Sequence, residues 1–371
     1  MSKTGKFKVD LMMDSGAFSA WTRKQHIDLK EYIEFVREYE PYLWQYINLD
    51  VIPGARDEVR TQSEVEASAQ LSYRNQQTMK DAGLRPIPVF HQGEPFSWLE
   101  RLLKDGETYI GVSPFKDIPF EQQSDWLDEC FTALTNSDGA PFVRTHGFGT
   151  TQTALLLRYP FYTVDSTTWS LTPGMGQIIV PSLVNGEFNY LVGPQRVSMG
   201  ERNLENTNKR KYDWIGPNQK EAVTKFLREE VGCTLVEARY GTRFRRKAVL
   251  IYFLRLGEHL YGHRFKYRKA SLGKKIQVPK ELKPRERQSF HVIFATNFSS
   301  DWSQGLNEVD ARKRLVSFYE IRNRPERLIK YVKDGIVNRN YERKQPPANW
   351  GSAYENYRRL ALVNKVERNN G

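Results

Sequence analysis

Thiols are scarce in this chain. Of its 371 residues only Cys130 and Cys233 are cysteines, the first in an amphipathic helical pattern and the second beside Gly232. Two such residues support neither a disulfide framework nor a Cys-rich zinc site, and both are expected to be ordinary buried thiols. Long apolar runs are missing too. The longest one near the basic half, Ala248 to Leu254, is far shorter than the roughly 20 residues of a bilayer crossing. No lipidation signal occurs, and the opening MSKTGKFKVD lacks the apolar core of a signal peptide. A cytoplasmic protein with no membrane partner is expected. Internal repeats and low-complexity tracts are also absent.

Negative charge is short in one half only. Residues 1–200 hold 18 Lys and Arg against 25 Asp and Glu, whereas residues 201–371 hold 38 against 19, so the formal net charge of +12 arises in the second half. From Arg243 to Arg287 there are 15 Lys and Arg against three Glu, interleaved with Phe244, Tyr252, Tyr261, Phe265 and Tyr267. Such a surface suits a polyanion, because each neutralised phosphate releases counterions. The alternation in GHRFKYRKAS predicts a strand or ribbon with one basic face and aromatics that pack or stack. The candidate nucleic-acid contacts are Arg243, Arg245, Arg246, Lys247, Arg264, Lys266, Arg268, Lys269, Lys274 and Lys275.

What the first half does contain is alternation of strand and helix. Short runs rich in Val, Ile, Tyr and Phe lie at Val9–Met13, Gln45–Leu49, Ile87–Phe90, Tyr109–Val112, Phe142–Thr145 and Tyr162–Val164. Between them, Ile27, Ile33, Val36 and Tyr39 follow a helical period behind an Asp28/Glu31 capping box. Trp98, Leu99, Leu102 and Leu103 make a second stripe closed by Gly106, and Trp126, Leu127, Cys130, Phe131 and Leu134 a third. This order predicts an α/β fold with a parallel sheet. The runs end on Asp14, Asp50, His91 with Gln92, Ser113, His146 and Asp165, and polar groups after nearly every strand favour a TIM-like (β/α)8 barrel, whose carboxyl-end loops share one mouth. Gln177–Pro181 is the expected seventh strand and Phe290–Thr296 the eighth. Residues 1–182 then form the first part of the barrel, 183–288 a basic insertion, and 289–371 the closing strand and a C-terminal helical region. Helices are expected at Lys220–Val231 and Val309–Val332, the latter interrupted near Pro325, with a polar tail from Asn338.

Two of the strand ends suggest chemistry. Asp14 and Asp165 supply a carboxylate pair from different strands, as needed to break a bond at an anomeric carbon. Each also has a plain structural reading: Asp14-Ser15-Gly16 as an Asx turn, and Asp165-Ser166-Thr167 as a helix cap. Asp50 either pairs with an Arg or presents two acceptors to the N1–H and exocyclic amine of a guanine-type base. Gln92 offers an acceptor and a donor, and Gly111 allows backbone to approach a flat ring. His91 and His146 lack carboxylates at ligand spacing, so no metal is expected. The HGFGT turn after His146 is either a phosphate-holding loop or a tight turn. A Ser15/His146/Asp165 triad is formally open, without the nucleophile elbow.

Taken in order, these segments resemble the tRNA-guanine transglycosylases, and within that superfamily the phage and bacterial DNA-modifying branch called DpdA. DSGAF at Asp14 is similar to the family's DSGGF, NLD at Asp50 to its substrate-reading Asp segment, and FHQGE at Gln92 to its VQGG. YIGV at Gly111 is similar to the base-binding strand, and HGFGT followed by VDS at Asp165 to GVGTP followed by the nucleophile-bearing FD. The resemblance spans roughly residues 7–170. Departures are Ala17 and Ser19 for the second glycine and the Gln of the first motif, a single Gly111, Ser-Thr-Thr-Trp after Asp165, and no Cys/His zinc site; these point toward the DNA branch.

The resemblance implies Asp165 as nucleophile, Asp14 as general acid/base, and Asp50, Gln92 and Gly111 as the base-reading set, with Ser15, Gly16, His91, Ser113 and His146 lining the substrate site. It implies DNA and a free 7-deazaguanine base as substrates and no cofactor, in a host's cytoplasm if the chain is phage-encoded. A divergent tRNA enzyme and a non-catalytic nucleic-acid-binding barrel are the alternatives.

Overall fold

The computed structural model describes residues 9–54, 59–115, 118–199, 210–261, 263–273, 276–285, 290–296, 306, 308–309 and 311–328. Its strands in chain order are β1 (Asp10–Asp14), β2 (Gln45–Tyr46), β3 (Val89–His91), β4 (Tyr109–Ser113), β5 (Arg144–Gly147), β6 (Thr163–Ser166), β7 (Gln177–Val180), β8 (Ser182–Val184), β9 (Glu187–Asn189), β10 (Gln195–Ser198), β11 (His291–Ala295) and β12 (Lys313–Ser317). Eight of them form one curled parallel sheet in the order β2-β1-β12-β11-β6-β5-β4-β3. Its two edges meet: the Ile87 N–H donates to the Tyr46 carbonyl and the Asn48 N–H to the Ile87 carbonyl, both at 2.9 Å, around an Ile47–Ile87 bridge. Carried across every pairing and that bridge, the register that starts at Asp14 returns to β1 displaced by eight residues. Eight strands with that stagger are consistent with a TIM-like α/β fold.

The crossovers are helices whose starts the sequence marks. α1 (Ala17–Thr22) and α2 (Leu29–Tyr39) follow β1; Asp28 caps α2 by accepting from the Glu31 N–H at 2.8 Å. α3 (Gln62–Asp81) opens on a Thr61/Glu64 capping box. α4 (Phe96–Lys104), α5 (Phe120–Leu134) and α6 (Thr153–Arg158) follow β3, β4 and β5, and α7 (Thr168–Gly174) follows β6. Between β6 and β11 the chain also forms α8 (Pro217–Phe226), with a π-helical continuation to Val231, α9 (Leu235–Tyr240) and α10 (Thr242–Leu260). These elements share one core with the sheet helices: Phe131, Leu156, Trp169, Ile178, Phe226 and Phe253 belong to a single buried cluster. Both cysteines are buried and free.

Three sequence expectations differ from what the chain does. Gln177–Val180 is a strand, but it pairs antiparallel with β10 outside the large sheet. The seventh place is held by β11, and the eighth by β12, which falls inside the stretch read as a helix from Val309. Lys313 and Arg314 at its start disguise the apolar run; Arg314 is fully buried, and its Nε donates to the Ala311 carbonyl at 2.6 Å. Of the C-terminal helical region the described residues show two short pieces, Phe318–Ile321 and residues 326–328, on either side of a break before Pro325; the tail from Asn338 lies outside the described residues.

One buried ion pair ties α5 to α6. Asp128 is fully buried and accepts from both Arg158 Nη2 (2.7 and 3.0 Å) and the Tyr159 hydroxyl (2.8 Å), while the Tyr159 ring stacks on Phe131. Removing one member of such a pair costs about 3 kcal/mol or more, against at most about 0.5 kcal/mol for an exposed helical pair. Asp128→Ala is therefore expected to lower the thermal midpoint by several degrees in circular dichroism, while Lys30→Ala, which breaks the exposed Lys30–Glu34 pair, leaves it unchanged.

Candidate functional site

The period of two along each strand decides which side chains share a space. Met12, Ile47, Val89, Tyr109, Ile293 and Leu315 form the buried cluster on the inner face of the curled sheet. Two residues further along the same strands, on the same face, stand Asp14 after Met12, His91 after Val89, Gly111 and then Ser113 after Tyr109, and Ser317 after Leu315. Asp165 follows Thr163, whose hydroxyl meets the Tyr109 hydroxyl in that interior. All lie toward the carboxyl ends of parallel strands. Asp14 and Asp165 are thus brought to one mouth, separated along the sheet by β12 and β11.

One cluster gathers around Asp50. Its Oδ1 accepts from the buried Ser15 hydroxyl at 3.3 Å, and its Oδ2 lies 2.9 Å from His91 Nε2. His91 Nδ1 lies 3.0 Å from Glu94 Oε1, and Glu94 Oε2 accepts from the His91 backbone N–H at 3.1 Å. Burial by itself would depress the imidazole; the charge of Glu94 and the hydrogen bonds and charge of Asp50 outweigh it and push the ring up to about 10. His91 is therefore an imidazolium at neutral pH, donating to a carboxylate on each side. Tyr32, whose hydroxyl donates to the Ile47 carbonyl, is held neutral by burial and by the nearby charges of Asp14 and Asp50, so these two carboxylates share a neighbourhood.

A second cluster gathers around Asp165. The Tyr109 and Thr163 hydroxyls are hydrogen-bonded, Thr163 Oγ1 lies 2.8 Å from His146 Nδ1, and His146 Nε2 lies 3.7 Å from Asp165 Oδ1. His146 is fully buried, and burial pushes it down to about 4 against the pull of Asp165. It is the neutral counterpart of His91. If Tyr109 donates to Thr163 and Thr163 to Nδ1, the Nε2–H faces Asp165, which places a donor rather than a lone pair before the carboxylate. The Gly149 N–H also donates to Asp165 Oδ1.

Several residues have a different part from the one expected. Gly111 does give close approach to a flat ring, but the ring is that of Phe148: a Cβ at Gly111 would stand 2.5 Å from Phe148 Cε2. The Gln92 side-chain oxygen accepts from the Phe115 N–H at 2.8 Å, which orients the amide nitrogen away from that loop. Two N–H groups of the HGFGT turn are engaged within the fold, Phe148 donating to the Val112 carbonyl and Gly149 to Asp165. Gly16 is in the left-handed region, φ +79, and its missing Cβ admits Tyr319 and Ser317. Glu94 escaped the sequence reading, although its spacing of three from His91 across the HQGE turn was the available signal.

The mouth also carries an aromatic and cationic rim that the sequence did not announce. Phe18, 53% exposed, lies 5.8 Å from Trp21, and the Arg60 guanidinium stands 5.5 Å from both the Trp21 and Phe115 rings. Trp21 donates through Nε1 to the Gly54 carbonyl. On the next loop, Arg23 and Arg322 flank the Tyr319 ring at 5.1 and 4.7 Å.

The predicted basic contacts disperse. Arg245 is buried, and its guanidinium donates to the carbonyls of Pro173, Ala238 and Arg239 and to the Thr242 hydroxyl, so it holds α7, α9 and α10 together and is closed to phosphate. Arg243 pairs with Glu308 at 2.6 Å, and Arg246 and Lys247 are half-buried on α10. The expected alternation does hold from Arg264 to Lys269, with Arg264, Lys266, Arg268 and Lys269 exposed and Phe265 and Tyr267 turned inward, but the segment is irregular rather than a strand. It lies against α5: Arg268 pairs with Asp125, and Lys269 donates to Thr135 and to the Asn136 carbonyl. Because α5 runs back toward the amino ends of the strands, its Thr135 end lies away from the mouth. Lys274 and Lys275 lie outside the described residues.

A comparison with known proteins finds no family model, no curated protein and no solved structure that matches this chain. Among the described residues no helix is long and apolar enough to cross a membrane.

The opposed imidazoles give a test by pH. The folded-state value of His91, about 10, lies above its ordinary 6.5, so its contribution to stability is fully present below pH 6.5 and is lost as the pH rises through 10. The difference in melting temperature between the wild type and His91→Gln is expected to be largest at pH 6 and to shrink steadily toward pH 10. A difference that stays constant over this range would mean that His91 is not the cation between Asp50 and Glu94.

Proposed function

We propose that this chain is a base-exchanging transglycosylase that replaces guanine in DNA with a free 7-deazaguanine base, such as 7-cyano-7-deazaguanine. The observation that carries the reading is the placing of Asp14 and Asp165 on one inner face at the carboxyl ends of β1 and β6, with Asp50 held by Ser15 and His91 at the end of the adjoining strand β2. On this reading the curled sheet is a (β/α)8 barrel, and the elements between β6 and β11 elaborate its wall.

The chemistry is a double displacement. The Asp165 carboxylate attacks C1′ of the sugar as the C1′–N9 bond breaks, and protonated Asp14 supplies the proton that the departing guanine takes. A glycosyl ester to Asp165 results. The incoming base gives its N9 proton to Asp14 and attacks C1′, which frees Asp165 with net retention. The Gly149 N–H and the neutral His146 fix the orientation of Asp165. Asp50 keeps both oxygens engaged by Ser15 and His91 and still has lone pairs for two base donors, since a carboxylate accepts about four hydrogen bonds. Extruding a stacked nucleotide costs a few kcal/mol. The Phe18, Trp21, Arg60 and Phe115 rim supplies faces on which exposed bases stack, each contributing about 1–3 kcal/mol.

The position of the rim moves the expected DNA contacts. Arg23, Arg60 and Arg322 border the mouth, whereas the segment that carries Arg264 and Lys266 lies beside α5, away from it. Two measurements follow. Asp165→Asn should abolish entry of labelled guanine into DNA while DNA binding stays close to wild type; full exchange in that variant removes Asp165 as nucleophile, and wild-type entry into tRNA alone moves the substrate. Neutralising Arg23, Arg60 and Arg322 together should flatten the salt dependence of DNA binding by about 0.9 in log–log slope for each phosphate that these side chains neutralise. The Arg264→Ala, Lys266→Ala double variant should leave that slope unchanged.

A further inference from the structure

A cavity of about 340 Å³ opens at the end of the sheet opposite the mouth. It lies among the loop that precedes β5, the loop that precedes β6, the end of α10 and the segment around Phe265. Its walls are apolar: Val143, Phe161, Leu260 and Phe290 are buried there, and Ala140 and Phe265 complete them. Two cations, Arg264 and Arg285, line it against one acid, Asp138. Arg285 is anchored rather than loose, since its Nε donates to the Phe142 carbonyl at 3.0 Å and its N–H to the Pro141 carbonyl at 2.8 Å. Its guanidinium is disfavoured by burial and by the neighbouring charge of Arg144, which in turn lies over the Tyr162 ring at 4.7 Å. Guanidinium groups gathered beside an apolar hollow are stabilised by an anion between or before them.

We infer that this cavity is a binding site for a small amphipathic anion, a molecule with an aromatic or short acyl body and one carboxylate, sulfonate or phosphate head. The volume falls in the range of small-ligand sites, which are mostly apolar with a few convergent polar groups. The body occupies the hollow between Phe161, Phe265 and Phe290, and the head meets Arg285 from the side on which Arg264 is exposed. The position also accounts for basic charge that the mouth does not use. The site does not depend on the reaction proposed above, since it shares no residue with the Asp14 and Asp165 mouth.

The test uses the full chain and two dyes of matched shape: 8-anilinonaphthalene-1-sulfonate, an aromatic anion, and its neutral analogue N-phenyl-1-naphthylamine. Saturable binding of the anionic dye to one site is expected. Arg285→Met should weaken it about tenfold and leave the neutral dye unaffected, because a hydrogen bond to a charged group contributes about that much. Arg285→Lys should restore part of the loss. Ala140→Phe, which fills the hollow, should weaken both dyes, with melting curves showing that each variant is folded. Phenyl phosphate or octanoate should displace the anionic dye, and whichever is the stronger competitor identifies the preferred body and head. Equal binding of the anionic dye to wild type, Arg285→Met and Ala140→Phe would overturn the inference, as would displacement by neither competitor.

Discussion

The constraint on which everything else depends is the stagger of the parallel sheet. Once eight strands curl with a shift of eight residues around the circuit, the period of two leaves no freedom in which side chains face inward. Met12, Val89, Tyr109 and Leu315 fill the interior, and the next inward positions become the rim. Asp14, His91, Ser113 and Asp165 stand on one rim for this reason, although far apart in sequence. A slip of one residue on β1 would turn Asp14 into the layer of Tyr32 and Val36, where an apolar cluster offers a carboxylate nothing.

Within that frame the site is organised by two histidines in opposite charge states. Both are enclosed, and burial opposes charge in each. His91 has two carboxylates at hydrogen-bonding distance and remains cationic; His146 has one carboxylate, farther off, and a hydroxyl, and remains neutral. The consequence for the aspartates differs accordingly. Asp50 is part of an array that includes a fixed cation, whereas Asp165 meets the Gly149 N–H and an uncharged imidazole. Two carboxylates at one mouth are thereby differentiated by their surroundings, without any change in residue type.

The sequence was most legible where alternation, capping and strand ends agreed. β1 to β6 and the helices α2, α4 and α5 coincide with the apolar runs and stripes that announced them, because each of those elements buries a face of the period that its residues display. β12 was hidden because Lys313 and Arg314 break its apolar run and Phe318, Tyr319 and Ile321 just beyond continue a helical spacing; only the fold reveals that Arg314 is accommodated by a carbonyl. β7 carries a strong strand pattern, yet pattern does not tell which sheet a strand joins. In the site, the polar strand ends were visible, but the partners that set their chemistry were not: Glu94, Thr163 and Tyr109 became relevant only through contacts made across strands. The basic stretch shows the limit of composition, since Arg245 is consumed by backbone carbonyls and the exposed alternation at Arg264 to Lys269 lies beside α5.

The pairing of β1 with β12 and of β6 with β11 also bears on when the mouth comes into being. The register partner of Asp14 is Ser317, and that of Asp165 is Ile293, each more than a hundred residues downstream. Synthesis from the amino end releases both aspartates long before either wall exists, and contacts so distant in sequence form slowly. An emerging chain therefore carries its acidic groups in an open, water-filled trough with no shaped cavity around them. Maturation of the site is coupled to arrival of the last strand, so a truncated or stalled product holds all the residues of the mouth and none of its enclosure.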